Sequence, residues 1–187
     1  RPTLVVVKNS QRLQEILTDL SCFLDGRFLH SLAPWETLPY EFVSAPEHVE
    51  RERVAALYRI IGGGPAVIVA TVESLVRRVP PKDFLLKKGV SLSAGQEYPF
   101  DDIIETLVSY GYSREHRVES YGQFSVKGGI IDAYLPTHEN PVRLDFFGDT
   151  LESVREFDPE SQISLARIEG ATIYPRRELV LSESEHR

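Results

Sequence analysis

The sequence predicts a protein of the α/β plus α+β class, in which a partial parallel α/β domain carries an inserted domain built on an antiparallel sheet. Residues 3–7 and 66–70 are continuous apolar runs, the pattern of strands buried on both faces of a parallel sheet. Residues 124–127 and 142–145 instead alternate apolar and polar side chains, which is typical of strands with one solvated face. The two patterns therefore indicate two kinds of sheet.

Composition limits the classes of function. The chain has 187 residues, 42% of them hydrophobic, and a formal net charge of −7, so its surface as a whole does not attract DNA phosphates. No apolar run approaches the roughly 18 residues that cross a bilayer, so we expect no membrane contact. The single cysteine, Cys22, excludes an internal disulfide. Because the chain begins Arg1-Pro2 and has no methionine, we interpret it as a fragment of a longer protein.

The first apolar strand is followed by a helical pattern. Asn9 or Ser10 is the expected N-cap, and apolar residues then recur at spacings of three and four. These residues are Leu13, Ile16, Leu17, Leu20 and Leu24. A short strand is predicted at residues 28–30, followed by a proline-bounded loop at residues 34–40. Trp35 and Tyr40 in this loop either cover a core edge or stack on nucleic-acid bases.

Three consecutive glycines end the next helix, which is predicted over residues 47–61. Gly62-Gly63-Gly64 is not a phosphate-binding loop, because proline and a strand follow where that loop needs lysine and a helix. Thr71 is the expected N-cap of a helix over residues 72–78. The first part is thus a P-loop-like domain without the nucleotide loop, for which we expect neither a cofactor nor ATPase activity.

Prolines mark the expected domain boundary. Pro80-Pro81 breaks the helical pattern, so the α/β domain is predicted over residues 1–81 and the α+β domain over residues 82–174. Residues 175–187 are predicted to return toward the first domain and to end in a polar tail. Inside the second domain a strand is expected at residues 90–92. A helix is expected from Phe100, capped by Asp101 or Asp102.

The antiparallel sheet holds the candidate site. Side chains alternate along a strand, so Ser125 and Lys127 share one face, and Arg143 and Asp145 share the corresponding face of a second strand. A two-residue turn at Gly148-Asp149 leads to the next strand. We expect this polar set to face solvent.

Further side chains were assigned to the same surface. We predict that Arg114 and Arg117 lie beside the sheet and that Phe124 and Phe147 are apolar anchors. Mixed charge beside aromatic and arginine anchors suits a protein partner. The alternative is that each of these is an ordinary solvated strand residue.

The sequence supports metal-dependent catalysis less well than it supports binding of a protein partner. The five histidines show neither HxH nor HExxH spacing, so zinc is not expected. Asp132, Asp145 and Glu152 could bind the two magnesium ions of a nuclease, but Asp145 is followed by two phenylalanines where such an enzyme needs lysine two positions on. No catalytic constellation is predicted.

Several segments carry a specific resemblance. GQFSVKGGIIDAYLP, PVRLDFFGD, LESVREFDPESQ and the later IYP resemble the UvrB-homology module of bacterial nucleotide-excision repair, the UvrB/Mfd family. RPTLVVV, WETLPY and RERVAALYRI, from the first half of the chain, are more similar to the transcription-repair coupling factors (Mfd) than to UvrB. The resemblance is collinear over nearly the whole chain.

The resemblance implies that the antiparallel domain binds UvrA, the damage sensor. The positions that correspond to the family's UvrA contacts are Arg114, Phe124, Ser125, Lys127, Arg143, Asp145 and Phe147. UvrB has arginine where this chain has Ser125 and Lys127, and glutamate where it has Asp145. A lysine keeps the charge of arginine but loses its forked hydrogen-bonding geometry.

The implied function is non-catalytic: a module of a bacterial, cytoplasmic transcription-repair coupling factor that recruits UvrA. In the family, ATP-driven DNA translocation and binding of RNA polymerase belong to other parts of the protein, and the module folds back on the translocase. One alternative is a UvrB fragment that contacts damaged DNA directly, although the segment around residues 34–40 is too short for the tyrosine-rich hairpin of UvrB. Another is an interaction module for a different partner.

Overall fold

The computed structural model describes residues 1–35 and 46–178, so the predicted position of Tyr40 lies outside the described residues. The chain divides into two compact units, Arg1–Leu86 and Lys87–Arg187. The domain limits predicted at residues 81 and 174 stay predictions. In the described ranges, no helix is both long enough and apolar enough to cross a bilayer.

The first unit is built on a three-stranded parallel sheet. Its strands are β1 (Pro2–Val7), β2 (Leu29–Leu32) and β3 (Ala66–Thr71), in the order β1-β3-β2. The parallel sheet was predicted, but the expectation that β1 is buried on both faces is wrong. Leu4 and Val6 lie on the face of this edge strand that points away from α1, and they are about half exposed. Only the other face of β1, with Val5 and Val7, packs against the helix that follows.

The α-helices α1 (Ser10–Ser21), α2 (Glu47–Gly62) and α3 (Val72–Val76) belong to this unit, as do a 3-10 helix at Gly26–Phe28 and all but the last residue of α4 (Lys82–Lys87). The Asn9 side chain accepts a hydrogen bond from Arg12 N at 3.0 Å, which confirms one of the two expected caps. Four residues of the predicted apolar stripe pack in the core beside the sheet, namely Leu13, Ile16, Leu17 and Leu20, whereas Leu24 lies beyond the end of α1. Gly63 ends α2 in the left-handed conformation, with φ of 68°. This terminator role was predicted for the glycine run.

A buried arginine ties the segment after β2 to α2. Arg53 is completely buried and donates a hydrogen bond from Nη1 to the Ala33 carbonyl at 2.5 Å. Its guanidinium carbon lies 5.1 Å from the centre of the Trp35 ring. Trp35 therefore contacts its own unit, in line with the interpretation that it covers a core edge.

The elements of the rest of the chain, in order, are α4 (Lys82–Lys87), β4 (Val90–Ser93), α5 (Phe100–Ser109), β5 (Ser113–Arg114), β6 (Gln123–Lys127), β7 (Ile130–Ala133), β8 (Val142–Phe147), β9 (Thr150–Phe157), β10 (Ser164–Ile168) and β11 (Gly170–Ile173). β5 to β10 form one six-stranded sheet in the order β10-β9-β8-β7-β6-β5, antiparallel except between β5 and β6. The predicted meander is thus confirmed. β4 and β11 form a separate antiparallel pair.

The core of the second unit lies on one face of the six-stranded sheet. It is formed by side chains of that sheet, of α5 and of the β4–β11 pair, including Leu92, Leu107, Phe124, Ile131, Leu144, Val154 and Ile173. The Phe100 and Phe146 rings meet edge to face, with centroids 5.3 Å apart. The predicted cap of α5 is wrong. Pro99 occupies the N-cap position, and Asp149 accepts the hydrogen bond from Phe100 N at 2.9 Å.

The segment after β11 is held to this unit by two tyrosines. Tyr112 donates its hydroxyl to the Tyr174 carbonyl at 2.8 Å, and Tyr121 donates to the Arg176 carbonyl at 2.6 Å. Arg176 N also donates to the Tyr110 carbonyl at 3.0 Å. The described part of the predicted return segment is therefore ordered on the second unit, and its course beyond Glu178 stays a prediction.

Candidate protein-interaction face

The face of the six-stranded sheet opposite the core carries two cross-strand rows of mainly polar residues. Strand pairing aligns Ser125, Asp132, Arg143, Arg155 and Arg167 in the first row. It aligns Lys127, Ile130, Asp145 and Ser153 in the second. Partners across a ladder share a face, so these nine residues define what we call the polar face.

Arg143 is held in place by a bidentate ion pair. Its Nε donates to Asp132 Oδ1 at 2.7 Å and its Nη2 donates to Asp132 Oδ2 at 2.9 Å. The hydrogen bonds to Asp132 raise the pKa of Arg143, so the guanidinium keeps its charge. The guanidinium carbon of Arg143 also lies 4.6 Å from the centre of the Phe157 ring. Since 21% of the Arg143 side chain is accessible, an oriented cation is presented at the surface.

A second ion pair lies in the neighbouring row. Asp145 Oδ2 accepts hydrogen bonds from Arg155 Nη2 at 2.7 Å and from Ser153 Oγ at 2.8 Å. Both bonds end on the same carboxylate oxygen. Oδ1 accepts no hydrogen bond from any residue in the described ranges and can accept one from a partner.

Two predicted site residues are not available on the surface. Phe124 is fully buried in the core, so the prediction that it anchors a partner is wrong; in the alternating strand it belongs to the apolar set. The expectation that Ser125 faces solvent is also wrong, because only 2% of it is accessible. Ser125 has a short side chain and pairs with Asp132, which is equally buried, so it lies at the base of the polar face.

Other predicted residues are exposed but occupy different places. Lys127 is exposed at the end of β6, and Phe147 at the end of β8 is 77% exposed, two residues beyond Asp145 on the same face. Arg114 is exposed on the edge strand β5, but its register partner is Phe124, so pairing places it off the polar face. Arg117 donates hydrogen bonds to the carbonyls of Pro159 and Glu160 and serves to join two loops.

Sequence reasoning missed Arg155, Arg167 and Ser153. A bulge in β9 hides the alternation of its polar and apolar residues. Asp145 pairs with Ser153 but Phe146 pairs with Leu151, so Glu152 is an extra residue in β9. A strict alternation through β9 therefore assigns its first half to the wrong face. Arg155 follows Ser153 by two residues and could have been placed once the bulge was recognised.

The carboxylates do not form a metal site. Among residues 1–35 and 46–178, no three His, Cys, Asp or Glu side chains are grouped so that they could hold a metal ion. Asp132 and Asp145, which were considered as nuclease ligands, are each paired with an arginine. The geometry is that of ion pairs that orient surface cations.

Comparison with known proteins identifies the second unit. Residues 90–179 match the family model of the UvrB interaction domain. Residues 90–179 therefore carry the UvrB interaction domain. The resemblance predicted from the sequence is confirmed, and the UvrB interaction domain begins at β4 and includes the whole polar face.

The full chain is also similar to curated transcription-repair-coupling factors. It is 35% identical to that of Myxococcus xanthus over 97% of the chain, 29% identical to that of Bacillus subtilis over 99%, and 30% identical to that of Escherichia coli over 95%. The chain spans 16%, 16% and 15% of the length of these relatives, respectively. The similarity thus extends beyond the UvrB interaction domain into the first unit.

Proposed function

We propose that this chain is a non-catalytic module of a transcription-repair coupling factor, and that the polar face of its UvrB interaction domain binds UvrA during transcription-coupled nucleotide-excision repair. The observation that carries the proposal is that Lys127, Arg143 and Phe147 lie on the same face of the sheet and reach the surface. This sheet lies in the part of the chain that matches the UvrB interaction domain. The similarity to transcription-repair-coupling factors supports the repair context.

The chemistry of this face favours a protein partner. Phe147 offers a large exposed apolar ring, and arginine and aromatic side chains are the residues that most often dominate binding energy at protein interfaces. Arg143 is already oriented by Asp132, so binding loses less side-chain entropy than it would with a free arginine. Ser125 and Phe124 contribute by supporting the sheet, and Arg114 lies outside the proposed contact.

Reversal of charge at Lys127 or Arg143 tests the assignment. Lys127→Glu and Arg143→Glu are each expected to weaken UvrA binding by about 1 to 3 kcal/mol, because a partner selected for cations would face an anion. The dissociation constant is measured by titration calorimetry with purified UvrA. Arg12→Glu, on α1 of the first unit, is the matched control and should leave binding unchanged.

Circular dichroism of each variant establishes that the sheet is intact, which matters most for Arg143 because it is paired with a buried carboxylate. Wild-type affinity in both folded variants rejects the polar face as the UvrA site. Salt-sensitive binding of damaged duplex by the isolated chain would instead favour a UvrB-like fragment that contacts DNA.

For the first unit we propose a scaffold role, as a P-loop-like α/β domain that has lost its nucleotide loop and into which the interaction domain is inserted. The arrangement of parallel strands β1, β3 and β2 with intervening helices supports this assignment. Gly62 to Gly64 lie at the end of α2, with Gly63 as its terminating residue, rather than at the start of a helix where a phosphate would bind.

Addition of Mg-ATP is therefore expected to leave the fluorescence of Trp35 unchanged. Trp35 is a suitable reporter because it is the only tryptophan and follows β2 at the carboxyl edge of the parallel sheet, where nucleotides bind in such folds. The titration is paired with an assay of phosphate release. A saturable change in fluorescence, or ATP hydrolysis by the isolated chain, would contradict the scaffold assignment.

We also propose that regions of the intact protein outside this chain carry out DNA translocation and bind RNA polymerase. We propose in addition an intramolecular contact between this module and the translocase, and a bacterial cytoplasmic location. These parts rest on the similarity to transcription-repair-coupling factors.

A further inference from the structure

Three arginines lie side by side on the polar face. Arg143 on β8 pairs with Arg155 on β9, and Arg155 pairs with Arg167 on β10. Like charges directly opposite each other across strands destabilise a sheet. A row of three is therefore costly for folding unless nearby carboxylates compensate it.

Carboxylates neutralise the first two arginines of the row but not the third. Asp132 neutralises Arg143 and Asp145 neutralises Arg155. Arg167 is exposed; within the described ranges it has no carboxylate within ion-pair distance, and its hydrogen bond is a 3.4 Å contact from Nη2 to the Glu152 carbonyl. Arg167 therefore presents a positive charge at the surface with no carboxylate partner in the described ranges.

We infer that the partner-binding surface continues across β9 and β10, where Arg155 and Arg167 receive an acidic segment of the partner protein. The inference rests on the proposed function, because it extends the same face beyond Lys127, Arg143 and Phe147. Planar guanidinium groups bind carboxylates with two parallel hydrogen bonds, so neighbouring arginines fit acidic side chains spaced along one segment.

The carboxylates on the face favour a protein over a nucleic acid. Asp132 and Asp145 lie in the same two rows as the basic residues and cancel two of the four positive charges that the face would otherwise offer to a phosphate backbone. A protein segment can instead place its acidic side chains opposite the arginines and leave these two aspartates in their own ion pairs. Asp145 is in this view a positioning residue, since Arg155 and Ser153 both bond to its Oδ2.

Arg167→Glu is the decisive variant, because Arg167 is exposed and makes only a long hydrogen bond, so the substitution does not disturb the core. Binding of the whole chain to UvrA is followed by surface plasmon resonance at several salt concentrations. We expect the dissociation constant to rise about ten-fold, mainly through slower association, with a weaker dependence on salt. Arg12→Glu controls for the same reversal of charge at a position in the first unit.

The outcomes separate the inference from the proposed function. If Lys127→Glu and Arg143→Glu weaken binding while Arg167→Glu does not, the extension to β10 is overturned and the original face stands. If none of the three changes binding, both are overturned. If Arg167→Glu abolishes salt-sensitive binding to duplex DNA but leaves UvrA binding intact, the row binds nucleic acid and the inference is wrong.

A double-mutant cycle tests the role of Asp145. If Asp145 acts by positioning Arg155, Asp145→Ala combined with Arg155→Ala should weaken UvrA binding no more than Arg155→Ala alone. Additive losses in the double variant would show that Asp145 contacts the partner independently and would overturn its positioning role.

Discussion

Replacement of Asp132 by alanine is expected to lower the free energy of unfolding of the UvrB interaction domain by about 2 to 3 kcal/mol. Asp132 is 2% exposed and accepts two hydrogen bonds from Arg143, so its loss leaves a guanidinium partly buried without its counterion. The penalty stays below that of a fully buried pair because 21% of the Arg143 side chain reaches water and can be rehydrated.

The same substitution is expected to weaken UvrA binding about ten-fold even where the domain remains folded, because Arg143 is no longer oriented before the encounter. Urea unfolding gives the change in stability, and calorimetry at a temperature well below the transition gives the change in affinity. Asp132→Asn is the matched control, since an amide oxygen can still accept from the guanidinium. A folded Asp132→Ala variant with wild-type affinity would show that orientation of Arg143 is unimportant for binding.

Replacement of Gly170 by alanine is expected to destabilise the UvrB interaction domain by about 2 to 4 kcal/mol. Gly170 begins β11 and pairs with Ser93 on β4. A Cβ atom at Gly170 would overlap the Leu92 carbonyl oxygen, and this neighbour is backbone inside a strand, so it cannot move aside alone. Leu92 is itself a core residue, and a shift of β4 would disturb its packing.

Hydrogen exchange measures this effect within the domain, because the amides of Ile131 and Leu144 lie in the central strands and report its opening. Their protection factors should fall in Gly170→Ala. Gly64→Ala, at a position where a Cβ meets no atom within 4 Å, is the control and should leave them unchanged. Unchanged protection in Gly170→Ala would mean that the β4–β11 pair contributes little to the stability of the core.

The periodic parts of the fold could be predicted from the sequence. Continuous apolar runs gave two parallel strands, and alternation gave the meander, because each pattern follows directly from which faces of a strand are covered. The sequence could not show that the face of β1 with Leu4 and Val6 stays partly exposed, since the place of β1 at the edge of the sheet depends on the strand order. Likewise the cap of α5 comes from Asp149, 49 residues from Phe100 along the chain.

The candidate site was predicted in part. Alternation correctly placed Lys127, Arg143 and Asp145 on one face, but it treats every polar residue on that face as solvated. Ser125 is buried because its side chain is shorter than those of its neighbours on the face. Asp132 is buried because Arg143 lies against it in an ion pair. Arg155 and Arg167 were missed because the bulge at Glu152 and the pairing of β10 are properties of the assembled sheet.

The β4–β11 pair has a consequence for how this domain can be joined to another chain. Val90, near the start of the domain, lies opposite Ile173, near its end, and tyrosine hydroxyls hold the carbonyls of Tyr174 and Arg176 just beyond. A unit whose two ends are neighbours can be spliced into a surface loop of a host while the host's backbone on either side stays nearly continuous. β4 and β11 enclose all the strands of the polar face in the order of the chain, so a segment exchanged between two proteins at these strands would carry that face intact.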